Sequence, residues 1–267
     1  LGAQTSNGPW PQAQWWRSYG DAPLDQLVQQ ALATQPTLQA TLARLQQAQA
    51  QVDGVGAAAA VQVNAGADLS DQRFSKNGLY PPPLAGAIYW NNNAQISASY
   101  DLDLFGRQRA ALDSAIGQLR AAQAEAQAAR VVLISGVVNG YVQLARLVET
   151  QAIAEQTLTQ REQLQALVQQ RVQAGLDTSA ELRQAQGTVA QARLELATLD
   201  EALVRARHAL AELSGQGPHA LDALKPRLSS AAGGAANAVP SVLPADLLGR
   251  RADLVAQRWR VEAAARE

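Results

Sequence analysis

Side chains that could bind a metal ion or a cofactor are few in this sequence. The 267 residues include two histidines, His208 and His219, and no cysteine. Without cysteine, thiolate metal sites and disulfide bonds within the sequence are excluded. His208 falls inside a predicted helix, and neither histidine has a carboxylate partner at a spacing typical of metal ligands. We therefore interpret His208 as a packing or solvated residue, and the sequence predicts no metal site and no cofactor.

Two neighbouring carboxylates, Asp101 and Asp103, are the other candidates for catalysis, because paired carboxylates can act as general acid and base. They alternate with Leu102 and Leu104, which predicts that both lie on the polar face of a strand. A structural role is the interpretation that we favour. The sequence contains no glycine-rich phosphate loop and no nucleophile elbow. We therefore expect that the protein is not an enzyme.

The composition is typical of long helices rather than of a globular enzyme core. Hydrophobic residues make up 47% of the chain, but aromatic residues only 4%. The excess is mainly alanine and leucine, which favour helices. The net charge is −1 and the only lysines are Lys76 and Lys225, which excludes a nucleic acid partner that requires a basic surface. No run of about 18 apolar residues is present, so we expect no membrane-spanning helix.

Two segments show the period-two alternation of β-strands. Apolar and polar residues alternate over residues 61–69 and again over residues 94–104, which predicts strands with one apolar and one polar face. The join, residues 71–87, contains Asn77-Gly78 and three consecutive prolines, so it is predicted to be an exposed loop. The pair is either a hairpin packed on a soluble core or a transmembrane hairpin. In the second case the lipid-facing residues are Val61, Val63, Leu69, Ile96 and Leu102.

The rest of the chain is predicted to be helical. Short helices are expected near residues 23–34 and 36–52, the second ending before Gly54. A helix over residues 107–174 contains no proline and would be about 100 Å long. Gly175 suits a left-handed C-cap, and Asp177, Thr178 or Ser179 can cap a helix over residues 178–213.

Apolar heptads in this last helix predict a left-handed coiled coil. The two apolar rows are Leu182, Val189, Leu196, Leu203 and Leu210, and Ala185, Ala192, Leu199, Ala206 and Leu213.

Four ordered motifs resemble the outer membrane factor family. They are residues 15–21 (WWRSYGD) followed by 24–27 (LDQL), residues 100–107 (YDLDLFGR), residues 170–176 (QRVQAGL), and residues 243–248 (LPADLL) followed by 250–253 (RRAD). The last motif is similar to the opening of the family's second repeat, in the form found in TolC-like lipoproteins of resistance-nodulation-division systems. A weak internal repeat at an offset of 216 residues, which matches Leu38 with Leu254 and Arg44 with Arg260, agrees with this order.

The resemblance implies a mainly α fold, in which a long antiparallel coiled-coil hairpin of an α-barrel accompanies one amphipathic two-stranded β-hairpin of a transmembrane β-barrel. It implies five segments: an N-terminal lead-in with ascending helices (1–56), an outer-membrane β-hairpin (57–105), a periplasmic coiled-coil hairpin (106–213), an equatorial loop-rich region (214–241) and the truncated start of a second repeat (242–267). We expect a chain cut from a longer protein, whose N-terminal lipidated cysteine would lie outside this sequence.

The resemblance also implies roles for individual residues. The helical-hairpin tip, which comprises Ala174, Gly175, Leu176 and Asp177, is expected to dock a periplasmic adaptor protein. Glu181 stands where the family often has an acidic gate residue, although a carboxylate in the first turn of a helix also stabilises the helix. The strand-to-helix junction is expected at Asp103, Phe105 and Gly106.

The function implied is that of a passive outer-membrane channel subunit in a tripartite efflux or secretion system for drugs or other exported compounds. The expected partners are two further copies in a homotrimer, a periplasmic adaptor protein, an inner-membrane pump and outer-membrane lipid. The expected location is the bacterial outer membrane with a periplasmic extension. Two alternatives remain at this point, a periplasmic adaptor subunit and a structural coiled-coil protein without membrane contact.

Overall fold

The structure, a computed structural model, describes residues 5–6, 14–226, 228, 239–240, 249 and 251–266. The motif at residues 243–248 lies outside this part of the chain. A 3-10 helix at Trp15–Tyr19 precedes the first α-helix. The α-helices that are described are α1 (Ala22–Thr34), α2 (Pro36–Ala58), α3 (Arg107–Gln173), α4 (Ser179–Leu213) and α5 (Ala252–Ala264).

The described strands form two separate pairs. Strand β1 (Thr5–Ser6) pairs in parallel with β4 (Val239–Pro240). Strand β2 (Gln62–Arg73) pairs with β3 (Ile88–Ser99) in an antiparallel hairpin, in the register Gln62 opposite Ser99 through Arg73 opposite Ile88. The mainly α architecture with one long β-hairpin agrees with the sequence-based fold class.

The chain divides into two compact units. Unit 1 comprises Leu1–Arg44 and Ala124–Val255, and unit 2 comprises Leu45–Gln123 and Ala256–Glu267. This division follows contacts between residues, whereas the five segments implied by the resemblance group residues by role. The five segments therefore remain a prediction.

Unit 1 has an apolar core built from α1, the middle of α3 and the end of α4. Full burial of an aliphatic side chain contributes about 1.5–3 kcal/mol to folding, and several core side chains are fully buried. The members of this core include Leu24, Val28, Val137, Tyr141, Leu144 and Leu210. The predicted heptad rows of α4 face inward, with Ala185, Val189, Ala192, Leu203 and Leu210 buried.

A close approach between α3 and α4 occurs at Gly140. A Cβ atom placed on Gly140 would lie 3.2 Å from Cδ1 of Leu210. The absence of a side chain therefore lets the two helices pack closely at this level of the core.

The start of α1 is tied to α3 by a buried polar network. The hydroxyl of Tyr141 donates a 2.9 Å hydrogen bond to Oδ1 of Asp21, and the same carboxylate caps α1 through the backbone N–H of Leu24. Burial raises the pKa of the Tyr141 hydroxyl, and the bond to Asp21 adds to the shift. Trp16, almost fully buried, donates from Nε1 to Oδ1 of Asp25 at 2.9 Å. These bonds therefore hold residues 16–25 together and fasten the start of α1 to α3.

Unit 2 contains the β2–β3 hairpin and a helical pair formed by the start of α3 and α5. A Cβ atom on Gly117 would lie 2.9 Å from that of Ala263, so glycine is required for this contact. The guanidinium of Arg120 stacks over the ring of Trp259 at 4.4 Å, which is a cation–π contact.

The predicted bounds of α1, α3 and α4 are confirmed to within one residue, but the predicted end of α2 near Val52 is wrong. The helix continues through Gly54 and Gly56 to Ala58. Glycine costs about 1 kcal/mol relative to alanine in a helix but does not break its hydrogen bonds, as proline would.

The predicted bounds of the second strand are also wrong. It spans Ile88–Ser99 rather than residues 94–104. Residues beyond Ser99 would have to pair with residues before Gln62, and those lie in or next to α2. Without a partner strand, Tyr100 and the residues that follow leave the sheet. Leu102 therefore lies outside β3, and Val61 lies just before β2.

The prediction that no helix is long and apolar enough to cross a membrane is wrong. Among the described residues, α3 is long and apolar enough to pass that test. Its apolar residues Ile134, Val137 and Leu144 belong to the core of unit 1, and buried core helices pass the same test. Packing inside unit 1 therefore accounts for part of the apolar composition of α3, whereas Val131 and Val132 of the same helix are exposed.

Candidate functional site

The turn between α3 and α4, in unit 1, forms an exposed tip. Gly175 adopts φ of +72°, a left-handed conformation that glycine adopts without strain. The N–H of Leu176 donates to the carbonyl of Arg171 at 2.9 Å, and that of Gly175 donates to Val172 at 3.0 Å. These two bonds define a Schellman motif, which satisfies the last carbonyls of the helix.

The first turn of α4 is closed by a capping box. The hydroxyl of Thr178 accepts from the backbone N–H of Glu181, while the Glu181 carboxylate accepts from the backbone N–H of Thr178 at 2.8 Å. This pair satisfies two free donors of the helix N-terminus. The bond from the Thr178 backbone is the largest of the interactions that lower the pKa of Glu181. Of the three predicted capping residues, Thr178 is the N-cap.

One ion pair spans the tip. Nε of Arg171 lies 2.7 Å from Oδ2 of Asp177, whose side chain is only 16% exposed. Leu176, between these two residues in the sequence, is 71% exposed. The backbone of the tip is therefore held by specific bonds while an apolar side chain points to solvent. Arg171 belongs to the motif at residues 170–176, but its part in the tip follows only from this ion pair.

The β2–β3 hairpin of unit 2 has two different faces. Because directly opposite residues share a face in an antiparallel pair, the register groups Val63 with Ala98 and Ala65 with Ile96. The same face carries Ala67, Ala94 and Leu69, and the other face carries Gln62, Asn64, Ser97 and Ser99. Every residue of both strands is exposed. Val63, Leu69 and Ile96 therefore share one face, which also carries Asn92 opposite Leu69. That this face meets lipid stays a prediction.

Aromatic residues gather at the loop end of this hairpin. The ring centroid of Phe74 lies 5.1 Å from that of Tyr80 and 6.3 Å from that of Tyr89. Trp90 follows on β3 and is 74% exposed. The residues between the strands, 74–87, are closed by hydrogen bonds between Phe74 and both Gly86 and Ala87.

The strand-to-helix junction is organised by two carboxylates. Asp103 accepts from the backbone N–H groups of Gln108 and Arg109 at 3.1 and 3.0 Å. The N–H of Arg109 is the main reason that the pKa of Asp103 lies below its ordinary value. Asp101 accepts from the side chains of Arg107 and Gln108. The predicted structural role agrees with these contacts, but both residues lie after β3 rather than on its polar face.

Gly106 and Phe105, the other two predicted junction residues, differ in their contribution to the structure. Gly106 has φ of +76°, so it makes the turn into α3. Phe105 is 99% exposed and contributes nothing to the packing of the described chain.

Three side chains that could bind a metal ion lie close together near the end of α4. His208, His219 and Asp222 offer ligand atoms that all lie within 4.8 Å of one another. The prediction that neither histidine has a carboxylate partner at a spacing typical of metal ligands is therefore wrong for His219, since its Nδ1 lies 3.1 Å from Oδ2 of Asp222. The sequence signal for this contact is that Asp222 follows His219 by three positions.

The sequence is similar to that of known proteins. A model of the outer membrane efflux protein family matches residues 27–216. The chain is 39% identical to the fusaric acid resistance protein FusA of Burkholderia cepacia over 96% of this chain and 48% of that protein. It is 33% identical to the pyoverdine export outer membrane protein OpmQ of Pseudomonas aeruginosa, over 94% of this chain and 53% of that protein.

Solved structures match at the level of the fold. The outer membrane protein VceC of Vibrio cholerae superposes with a TM-score of 0.80 at 33% identity, over 96% of this chain and 60% of that one. The outer-membrane channel OprN superposes with a TM-score of 0.81 at 26% identity, over 99% of this chain and 58% of that one. The chain spans about half the length of the curated relatives that it matches.

Proposed function

This chain belongs to the outer membrane efflux protein family, and from that premise we propose that it is part of a passive outer-membrane channel subunit in a tripartite efflux or secretion system. Three copies of the intact subunit enclose a water-filled path for drugs or other exported small molecules. The subunit works with a periplasmic adaptor protein and an inner-membrane pump. No chemical step is involved, and the protein is not an enzyme.

The observation that carries this proposal is the exposed, two-faced β2–β3 hairpin. An isolated two-stranded hairpin is marginal in water, and the outer edges of β2 and β3 carry unpaired backbone groups within the described part of the chain. Neighbouring strands of a barrel would pair those edges. Lipid would cover the face that holds Val63, Ala65 and Ile96, and the polar face would line the lumen.

The aromatic group at the loop end of the hairpin supports the same proposal. Transmembrane barrels carry girdles of aromatic residues at the membrane interface, where rings with a polar edge are favoured. At the loop end of the strands, Trp90 lies on the same face as Val63, and Tyr80 lies in the loop against Phe74, whereas Tyr89 lies on the polar face. That end would mark one surface of the membrane.

The α3–α4 hairpin supplies the wall of the periplasmic part of the conduit. Small residues in its inward rows, such as Ala185 and Ala192, permit close helix packing. In this proposal the exposed tip, Ala174 through Asp177, contacts the adaptor. Glu181 then has two roles, as the capping carboxylate of α4 and as one side of a contact that holds the channel closed.

Arginine substitutions on the two faces of β3 test the membrane assignment in the intact protein. Ile96→Arg places a charge toward lipid and is expected to cost about 2–4 kcal/mol if the position is near mid-bilayer. Ser97→Arg, its neighbour on the other face, is the matched control and is expected to have a milder effect. Trimer yield and thermal stability in outer-membrane extracts are the measurements. Equal losses for both variants would contradict the assignment of faces.

The two alternatives are less compatible with the family. A periplasmic adaptor subunit would not contain an amphipathic strand pair before its helical hairpin. A structural coiled-coil protein would need no detergent, so extraction of the intact protein from membranes only by detergent supports the channel.

A further inference from the structure

His208, His219 and Asp222 form a compact cluster of metal-binding side chains in unit 1. His208 lies near the end of α4, and the other two lie in the turns that follow it. One ligand atom from each residue lies within 4.8 Å of the others, and the two imidazole rings are 6.1 Å apart in an edge-to-face arrangement. Residues on two elements therefore converge on one point.

One separation in the cluster already matches the spacing that a small metal ion imposes on its ligands. Zinc binds nitrogen and oxygen ligands at about 2.0–2.2 Å in a tetrahedral arrangement, which places ligand atoms about 3.3 Å apart. Nδ1 of His219 and Oδ2 of Asp222 are already 3.1 Å apart. Rotation of exposed side chains can close the remaining gap of about 1–1.5 Å, since such rotations need no backbone shift.

The surroundings of the cluster favour a cation. A cleft of about 580 Å³ lies beside His208 and is also lined by Glu212, Gln35 and Gln216. Glu212 follows His208 by four residues on α4, so the two side chains lie on the same face of the helix. Its carboxylate adds negative charge on the side of His208 that lines the cleft.

We propose that His208, His219 and Asp222 bind a divalent transition-metal ion of the zinc class. The bound ion fastens the turns after α4 to the last part of that helix. These turns are already held in place, because Leu221 belongs to the core of unit 1 and Gly215 adopts φ of +65° against Thr34. The backbone that carries the ligands is thus fixed, which reduces the entropy cost of binding.

Calorimetric titration of the 267-residue chain with Zn²⁺ tests this assignment. The protein must carry no histidine tag, because its own two histidines are the only imidazoles in the sequence. One ion is expected to bind per chain, and Mg²⁺ is expected not to compete, because it prefers all-oxygen sites. Absence of saturable Zn²⁺ binding would overturn the proposal.

Substitutions identify the ligands. His219→Gln and Asp222→Asn alter exposed side chains, so the fold is expected to survive, and each should weaken Zn²⁺ binding about tenfold or more. Glu195→Gln, which removes an exposed carboxylate elsewhere on α4, is the matched control and should leave the affinity unchanged. A smaller loss in His219→Gln, or an equal loss in Glu195→Gln, overturns the assignment. Circular dichroism of each variant establishes that the helices are intact.

Discussion

Single polar side chains define where the long helices of this protein begin. Thr178 caps α4 through its hydroxyl, and Asp103 caps α3 through two backbone N–H groups. Both side chains are positioned by the few residues around them. Asp21 works over a longer distance, because it caps α1 and also accepts from Tyr141.

Thr178→Ala is expected to destabilise the first turn of α4 by about 1 kcal/mol, the usual cost of removing an N-cap. Hydrogen exchange of the amides that follow Thr178 measures the effect locally. The matched control is Ser179→Ala, an exposed residue inside the helix, which should change stability by less than about 0.5 kcal/mol. Equal protection of these amides in Thr178→Ala and the unaltered chain would argue against the capping role.

The tip is expected to lose stability in acid. The pKa of Glu181 is depressed in the folded state, so its contribution is present above the ordinary carboxyl pKa and is lost as pH falls through the folded value. The protection of the amides in the first turn of α4, measured relative to their intrinsic exchange rates at each pH, should therefore fall on acidification. Glu181→Gln should show a weaker dependence on pH over the same range. An identical dependence in both proteins would mean that Glu181 does not supply it.

The packing of whole elements depends on where side chains are absent. Gly140 lets α3 approach Leu210 of α4, and Gly117 lets it approach Ala263 of α5, each within its own unit. The hairpin of β2 and β3 differs, since the residues of both strands are exposed. Helix pairs in the described chain are thus self-sufficient, whereas the strands require neighbours.

Gly140→Val is expected to destabilise unit 1 by about 1–3 kcal/mol, the usual cost of overpacking a core. The new side chain would begin 3.2 Å from Leu210. Gly187→Ala, on α4, is the matched control. Nothing lies within 4 Å of its new Cβ, so it should stabilise the helix by about 0.5–1 kcal/mol. Chemical denaturation measures both, and a neutral Gly140→Val would refute the close approach.

At the scale of the whole molecule, the proposed channel assigns the tip two tasks, docking and gating. Its backbone is held by the Schellman motif and the capping box, so an adaptor would meet a preformed surface. A carboxylate that already serves as a cap can also join a closing contact, because exposed ion pairs are individually weak but several around a constriction can bias a closed state.

Docking can be tested with single cysteines introduced into these 267 residues, which contain none of their own. In the intact protein, Leu176→Cys is expected to crosslink to the adaptor. Glu149→Cys, an exposed position about 40 Å back along α3, is the control and should not. Equal crosslinking at both positions, or none at Leu176, would contradict docking at the tip.

Gating is tested by Glu181→Gln in the intact trimer. Single-channel conductance in planar bilayers is expected to rise, because one charge of the closing contact is removed. Global thermal stability should change little. Unchanged conductance together with a weakened α4 N-terminus would leave Glu181 as a capping residue alone.

Sequence alone determined the features that depend on neighbours within one or two helical turns. The unbroken α3, the apolar rows of α4 and the glycine turn at Gly175 follow from periodicity and capping, which are local. The alternation of apolar and polar residues also predicted that Val63, Leu69 and Ile96 share a face. Family motifs then indicated the architecture, because they recur in the same order along the chain.

Tertiary structure decided what depends on distant partners. The pairing of β2 with β3 stops at Gln62 and Ser99 because the residues before Gln62 lie in or next to the end of α2, and no local pattern at Leu102 records that limit. The bond from Tyr141 to Asp21 joins residues 120 positions apart. His208 meets His219 and Asp222 only because the chain turns back after α4. Such contacts follow from packing the core, which the periodicity of a single segment does not specify.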